Sequence, residues 1–269
     1  MTFGRNVQGF TFQLAPLWTP NLSRDLTHWV WSEKLDGVRA MWDGKGSLIS
    51  RNGNRFRAPK SFTECLPKGI VLDGELWIDR GMFLDTVSVI RTRDVWTPLV
   101  KFMIFDVWSP SLRKFGYADR VSSLFNIGPL GDHVKIVPYH VLRDRNDIPA
   151  LLKSVLKNGG EGLMIRDPRG LYRGGREAPS KSSILKVKPF IDEEAEVLSV
   201  DLSHGRKGSI TVRDTTGRVF KIGSGFRDVR SEPPPEVGSM ITFGYTSRHA
   251  DSGIPRFPRY IRTRSDFGL

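Results

Sequence analysis

An α+β fold in two parts is predicted: a larger domain of antiparallel sheets flanked by helices across residues 1–190, then a small all-β barrel across 191–269. Three observations carry this. Between His28 and Val107, short apolar runs alternate with Gly-containing turns, the pattern of antiparallel sheet. Stretches 82–91, 117–127 and 147–157 have helix-compatible spacing. Past Pro189 the character changes, and an acidic run, Asp192-Glu193-Glu194-Ala195-Glu196, opens a region of short strands and turns.

Taken in order, Trp29-Val30-Trp31 and Val38-Arg39-Ala40-Met41-Trp42 read as strands joined by a charged loop, and Ser47-Leu48-Ile49-Ser50 follows the Asp43-Gly44 turn. Ile70 to Ile78 and Lys101 to Val107 are more continuously apolar, as buried strands are. In 147–157, Ile148, Leu151, Leu152, Val155 and Leu156 share one helix face, and Gly159-Gly160 supplies the stop. Leu163-Met164-Ile165-Arg166 and Ile184-Leu185-Lys186-Val187-Lys188 are short strands flanking a loop rich in Gly and Arg. In the second part, strands are expected at 196–202, 209–213, 218–223, 239–245 and 258–263. Turns are expected at Gly205-Arg206-Lys207-Gly208 and Thr216-Gly217, with Pro233-Pro234-Pro235 as a connector and a hinge near 189–192.

The chain has 269 residues, enough for a substantial core, and a formal net charge of +12 with a pI near 10.0. That balance favours a polyanionic partner, because Lys and Arg facing phosphates displace condensed counterions. The excess is uneven: residues 1–190 hold 29 Lys and Arg against 18 Asp and Glu, and the remainder 12 against 11. No basic amphipathic helix or long apolar stretch points to a membrane. One cysteine, Cys65, leaves no internal disulfide and no cysteine-based zinc cluster, which fits a reducing cytoplasm. The N-terminal residues lack the continuous apolar segment of an export signal. The five histidines are scattered without metal-ligand spacing.

Glu33-Lys34-Leu35-Asp36-Gly37-Val38-Arg39 sets a lysine in a charged, glycine-containing segment at the end of a strand. Such a lysine can act as a nucleophile if the fold favours its neutral amine or aligns it with an electrophile. Four further segments follow in order: Ser50-Arg51-Asn52-Gly53, Leu72-Asp73-Gly74-Glu75-Leu76, Phe105-Asp106, and Glu161-Gly162-Leu163-Met164-Ile165-Arg166 with Lys186 and Lys188 behind it. A carboxylate between apolar strand residues, as at Asp73 and Glu75, needs a partner.

Together these segments resemble the ordered motifs of covalent nucleotidyltransferases, and their wording is similar to that of minimal ATP-dependent DNA ligases of viral and bacterial kind. The resemblance spans nearly the whole chain. It implies a nucleotidyltransferase domain followed by an OB-fold barrel, with ATP and Mg²⁺ as cofactors and nicked double-stranded DNA as partner, acting as a monomer. By the same resemblance Lys34 would carry AMP, Glu33 would sit beside the adenine, and Arg39 would reach the ribose or the nick phosphate. Arg51 would grip the 5′-phosphate of the broken strand. Glu75 would bind the ribose hydroxyls or help hold the metal, Glu161 would bind Mg²⁺, and Phe105 would stack on adenine. Lys186 and Lys188 would stabilise the pentacoordinate phosphate and favour the neutral amine of Lys34. Asp73 is expected to make structural hydrogen bonds. Arg264-Ser265-Asp266-Phe267 partly matches a sixth motif that orients pyrophosphate through Arg264 and Asp266, with phenylalanine in place of its lysine. An RNA ligase and a GTP-using mRNA guanylyltransferase share the Lys-x-Asp-Gly core, and an inactive nucleic-acid-binding module is a further alternative.

Overall fold

The structure is a computed structural model and describes residues 10–20, 22–91, 96–128, 130–189, 191–201, 208–226, 234–249 and 251–264. The chain divides into two compact units, Met1–Lys188 and Pro189–Leu269.

Two antiparallel-rich sheets build the first unit. One has the order β11 (Ile184–Val187), β9 (Leu163–Arg166), β2 (Val30–Glu33), β8 (His140–Val141). The other runs β4 (Leu48–Ser50), β3 (Val38–Trp42), β5 (Val71–Trp77), β6 (Lys101–Trp108), β7 (Val134–Ile136). Only four residues, 34–37, separate β2 from β3, so the chain leaves one sheet and enters the other at the Lys34 segment. Each sheet buries its own apolar face. Leu72, Leu76, Phe102, Ile104 and Val107 lie in one core, and Leu163, Ile165, Leu185 and Val187 in the other.

Helix α2 (Phe83–Arg91), helix α3 (Tyr117–Ser123) and helix α4 (Ile148–Lys157) occupy the three stretches with helical spacing. The predicted 117–127 helix is divided, because its last turn tightens into a 3₁₀ segment at Leu124–Asn126. A single turn, α1 (Lys60–Thr63), and the two-residue strands β1 (Gln13–Leu14) and β10 (Gly175–Arg176) carry too few residues for any period to be visible in sequence. β1 and β10 pair in parallel and bring the N-terminal segment alongside the loop that follows β9.

The second unit is a five-stranded antiparallel sheet ordered β14 (Val219–Ile222), β13 (Ser209–Asp214), β12 (Ile191–Asp201), β15 (Met240–Tyr245), β18 (Arg259–Thr263). A hairpin of β16 (Ser247–Arg248) and β17 (Pro255–Arg256) leads into β18. Its core is Ala195, Val197, Ile210, Val212, Phe220, Ile222, Ile241 and Phe243. Among the described residues the strand ladder is open where a barrel was expected. The sheet curls until its edges meet at one backbone bond, from Tyr260 N to Ser224 O at 2.9 Å. The first strand also begins earlier than expected, at Ile191 and not at 196: the acidic run pairs with β15 from Ile191–Tyr245 to Glu196–Met240. The expected turn at residues 205–207, Pro233 of the connector and Phe190 of the hinge lie outside the described residues.

Candidate active site

Strand β9 is the organiser. It pairs with β2 on one side and with β11 on the other, so Leu163 has Glu33 and Val187 as its two cross-strand partners. Just beyond these pairs, Lys34 N donates to Gly162 O at 2.9 Å. The Lys34 segment, the Glu161-Gly162 segment and the paired lysines thereby meet at one end of one sheet. Alternation along β9 sends Leu163 and Ile165 into the core, leaving Met164 and Arg166 to line the opposite, cleft-facing side.

Two glycines permit that approach. A β-carbon on Gly162, whose φ is +156°, would collide with Val187 O, and one on Gly37 would collide with Leu76 O and come within 2.8 Å of Glu75 Cγ. Side chains at these points would push the lysine segment away from both neighbours.

The cleft between the two sheets, about 190 Å³, is lined by Glu33, Lys34, Arg39, Arg51, Glu75, Phe105 and Lys186 among others. Glu161 joins it as a shared counterion: one oxygen contacts the Lys34 ammonium and the other the Lys188 ammonium. β11 ends at Val187, so Lys188 stands just past the strand while Lys186 faces the cleft. Partial burial, with Arg176, Lys188 and Lys34 near by, holds the Lys186 amine below its ordinary range.

Across the cleft, Arg39 and Glu75 are direct partners in the β3–β5 pair. The Arg39 fork is occupied by Asp73, Nε to Oδ1 at 2.7 Å and Nη2 to Oδ2 at 2.6 Å. Tyr172 OH donates to the same carboxylate at 2.6 Å and accepts from Gln13 N at 3.1 Å. Asp73 therefore makes structural hydrogen bonds that fix an arginine. Glu75 has no such fork. Although half-buried by surface area, it lies deep between the sheets, and burial pushes its carboxyl up to about 8, with Arg39 and Lys34 opposing the rise and Asp73 and Glu161 adding to it.

Phe105 reaches the cleft through a backbone irregularity. In the β5–β6 pair Asp73 faces Asp106 while Gly74 faces Ile104, which leaves Phe105 as the extra residue of a bulge. Bulges re-aim side chains. The Arg39 and Arg166 guanidiniums stand 4.8 and 5.3 Å from the Phe105 ring centre. Glu33 borders the cleft, but as the cross-strand partner of Leu163 it carries its side chain on the core face of the sheet, where Arg80 grips the carboxylate. Arg51 is exposed in a tight turn, closed by Gly53 N to Ser50 O at 2.9 Å, and still borders the cleft.

Arg264 belongs to the second unit, where its side chain pairs with Glu194 and its N donates to Met240 O at 2.8 Å. Asp266 lies outside the described residues. Arg80, Arg166, Arg176 and Tyr172 are cleft or support residues to which the sequence alone assigned no role. Only Arg166 left a signal there, two positions from Met164 on a strand whose alternate residues are core.

Among the described residues no three His, Cys, Asp or Glu side chains gather into a closed metal cage. Glu75 and Glu161 are a donor set suited to Mg²⁺, which takes one or two carboxylates and completes its shell with water and phosphate oxygens. The high Glu75 value fits: a buried carboxyl regains its charge when a cation arrives. Among the described residues no helix is long and apolar enough to cross a membrane.

The ATP dependent DNA ligase domain family matches residues 21–188, and the DNA ligase OB-like domain matches residues 203–264. A DNA ligase of Haemophilus influenzae is 34% identical over 242 residues, 88% of this chain and 87% of that one. Among solved structures, a Lig E DNA ligase superposes with a TM-score of 0.72 at 34% identity, covering 95% of this chain and 99% of that one. The Chlorella virus DNA ligase-adenylate superposes with a TM-score of 0.55 at 28% identity, covering 94% and 98%.

Proposed function

This chain belongs to the ATP-dependent DNA ligase family, and from that membership we propose that it seals 5′-phosphate/3′-hydroxyl nicks in duplex DNA with Lys34 as the residue that carries AMP. The observation that supports this most is the meeting of Lys34, Glu161 and Lys188 in one ion-paired cluster on a cleft that also holds Glu75, Phe105 and Lys186.

Three phosphoryl transfers follow. The Lys34 amine attacks the α-phosphorus of ATP, a P–N bond forms, and pyrophosphate leaves. The nick 5′-phosphate oxygen then displaces Lys34 from that phosphorus. Finally the 3′-hydroxyl attacks the 5′-phosphate, and AMP departs as the phosphodiester closes. Pyrophosphate and AMP are good leaving groups, and the Lys34 nitrogen becomes one when it takes back a proton, so alignment, proton placement and charge neutralisation are the main work of the protein.

Each side chain has a place in that work. Lys34 gives up its ammonium proton before attack, and Glu161 is the carboxylate already in contact with it. Lys186 and Lys188 supply positive charge where the phosphorus gathers negative charge. Phe105 offers its ring to the nucleobase, and Glu33 borders the same cleft. Arg39, held by Asp73, presents a fixed cation beside Phe105. Glu75 and Glu161 would hold Mg²⁺, which when bound neutralises the approaching phosphate charges. Arg51 is assigned the 5′-phosphate of the nick, and Arg264 with Asp266 the departing pyrophosphate. The domains are assigned as residues 1–190 and 191–269, the first for adenylation and the second for the OB fold. Monomeric, cytoplasmic action completes the reading.

Incubation with α-labelled ATP and Mg²⁺, followed by peptide mapping, tests it. The label is expected on Lys34 and lost in Lys34→Ala, and the wild type is expected to join a nicked DNA duplex. Label from GTP, joining confined to ribose-containing nicks, or label elsewhere in the chain would refute it.

A further inference from the structure

Residues 44–63 hold five Lys or Arg and no Asp or Glu, and three of the five, Arg51, Arg55 and Arg57, lie on or just past one hairpin. Its return limb is fixed by two backbone bonds: Ser50 N donates to Asn54 O at 2.8 Å, and Phe56 N to Leu48 O at 2.9 Å. Between these bonds Arg55 bridges Ile49. All three arginines are exposed, and among the described residues none of them forms an ion pair.

The register decides which way they face. Arg39 pairs with Glu75, and Met41 pairs with Asp73 on one side and Ile49 on the other, so all five share the cleft side of the β4-β3-β5 sheet. Arg55, opposite Ile49, joins them at the outer edge of β4. Phe56 and Ala58 turn the other way, into the core that holds Ala40, Trp42 and Leu48, which leaves Arg57 between them on the side of Arg55. Arg51 already borders the cleft at the hairpin tip. The three residues form a row that starts at the cleft and leads away from it, each step covering two residues of extended chain, about 6.5 Å.

A row of uncompensated arginines suits a regular polyanion. A nucleic-acid strand supplies one phosphate for about every 3.4 Å of helix axis, so each step of the row spans about two phosphates. We propose that Arg55 and Arg57 hold the backbone of the 5′-phosphate strand over its first few nucleotides beyond the break, continuing the line that Arg51 begins. The inference rests on the ligase reading above and deepens it by assigning a strand and a direction to the duplex. Such contacts set the position of the DNA without reading its sequence. Neither Arg55 nor Arg57 lines the cleft, so loading of Lys34 does not involve them.

The test compares wild type with the double variant Arg55→Ala, Arg57→Ala and the charge-keeping double variant Arg55→Lys, Arg57→Lys. Fluorescence anisotropy over a salt series gives Kd for three nicked duplexes: unmodified, with uncharged methylphosphonates at the second to fourth linkages of the 5′-phosphate strand, and with methylphosphonates facing them on the continuous strand. On the unmodified duplex the alanine variant is expected to bind about tenfold more weakly, from about three- to fivefold per exposed contact, with a salt slope shallower by about 2. The lysine variant is expected to keep the slope. Neutralising the 5′-phosphate strand is expected to weaken wild type by a similar factor and to leave the alanine variant unchanged, whereas neutralising the continuous strand affects both proteins alike. Lysyl-AMP formation, which needs no DNA, is expected to match wild type and reports an intact fold. Unaltered affinity and slope in the alanine variant, or a wild type insensitive to neutralisation of the 5′-phosphate strand, overturns the inference while leaving the ligase reading intact. Absence of any Lys34 adduct in the wild type overturns both.

Discussion

Lys34 and Glu161 are 127 residues apart in sequence and form an ion pair in the cleft. The same carboxylate serves Lys188, so one glutamate organises two ammonium groups. Replacing it with glutamine removes the negative charge that both cations share and turns one of its two accepting oxygens into a donor. Glu161→Gln is expected to slow lysyl-AMP formation by at least about 100-fold, the typical cost of losing one preorganised charge at a reacting centre. Single-turnover labelling measures it, and a rate within tenfold of wild type would contradict the assignment.

The Glu75 carboxyl gives a pH signature. Burial raises it from 4.5 to about 8, so the folded chain holds a proton that the unfolded chain releases. Its contribution to stability is fully present below about pH 4.5 and is lost as pH rises toward 8. In metal- and nucleotide-free buffer that decline is at most about 1.4 kcal/mol per pH unit from this one group. Glu75→Gln keeps the neutral shape and is expected to flatten the wild-type fall between pH 5 and pH 8 in urea unfolding. Parallel curves for the two proteins would argue against a neutral Glu75.

Asp73 is 1% exposed and satisfies Arg39 and Tyr172 at once. Removing one partner of a buried pair strands the other charge, at a cost of about 3–5 kcal/mol. Asp73→Ala is expected to lower unfolding free energy by that amount and to release Arg39 from the Phe105 ring. Chemical denaturation checks the first part, and a rise in KM for ATP the second.

The net charge of +12 bears on DNA affinity. With about six phosphate contacts, log K against log salt is expected to be linear with a slope near −5, about a thousandfold loss between 50 and 200 mM salt. Fluorescence anisotropy with a nicked duplex measures it; a shallow slope would mean that few of these cations face the backbone.

Much of the candidate site was legible in sequence because its charged residues sit in short runs on or beside strands: Glu33-Lys34, Asp73-Gly74-Glu75, Glu161-Gly162, and Lys186 with Lys188. Period-two alternation and turn glycines located the strands that carry them. What stayed hidden depends on contacts between distant segments. Tyr172 meets Asp73 across 99 residues, and Arg80 meets Glu33 across 47. No local pattern marks either one. The bulge that turns Phe105 into the cleft is a mismatch between two strands, invisible in either alone. The start of β12 was misplaced because Asp192, Glu193 and Glu194 show no apolar alternation; burial begins only at Ala195 and Val197, while the earlier residues are held by backbone pairing.

The order in which the strands enter the β11-β9-β2-β8 sheet has a bearing on biosynthesis. The ribosome makes Lys34 early, yet its acidic partner comes 127 residues later and the last ammonium of the cluster is Lys188, at the end of the first unit. A nascent chain that has exposed Lys34 but not yet β9 and β11 holds the lysine without its carboxylate partner. The ion-paired cluster can therefore close only after β11, the last strand of the first unit, has left the ribosome.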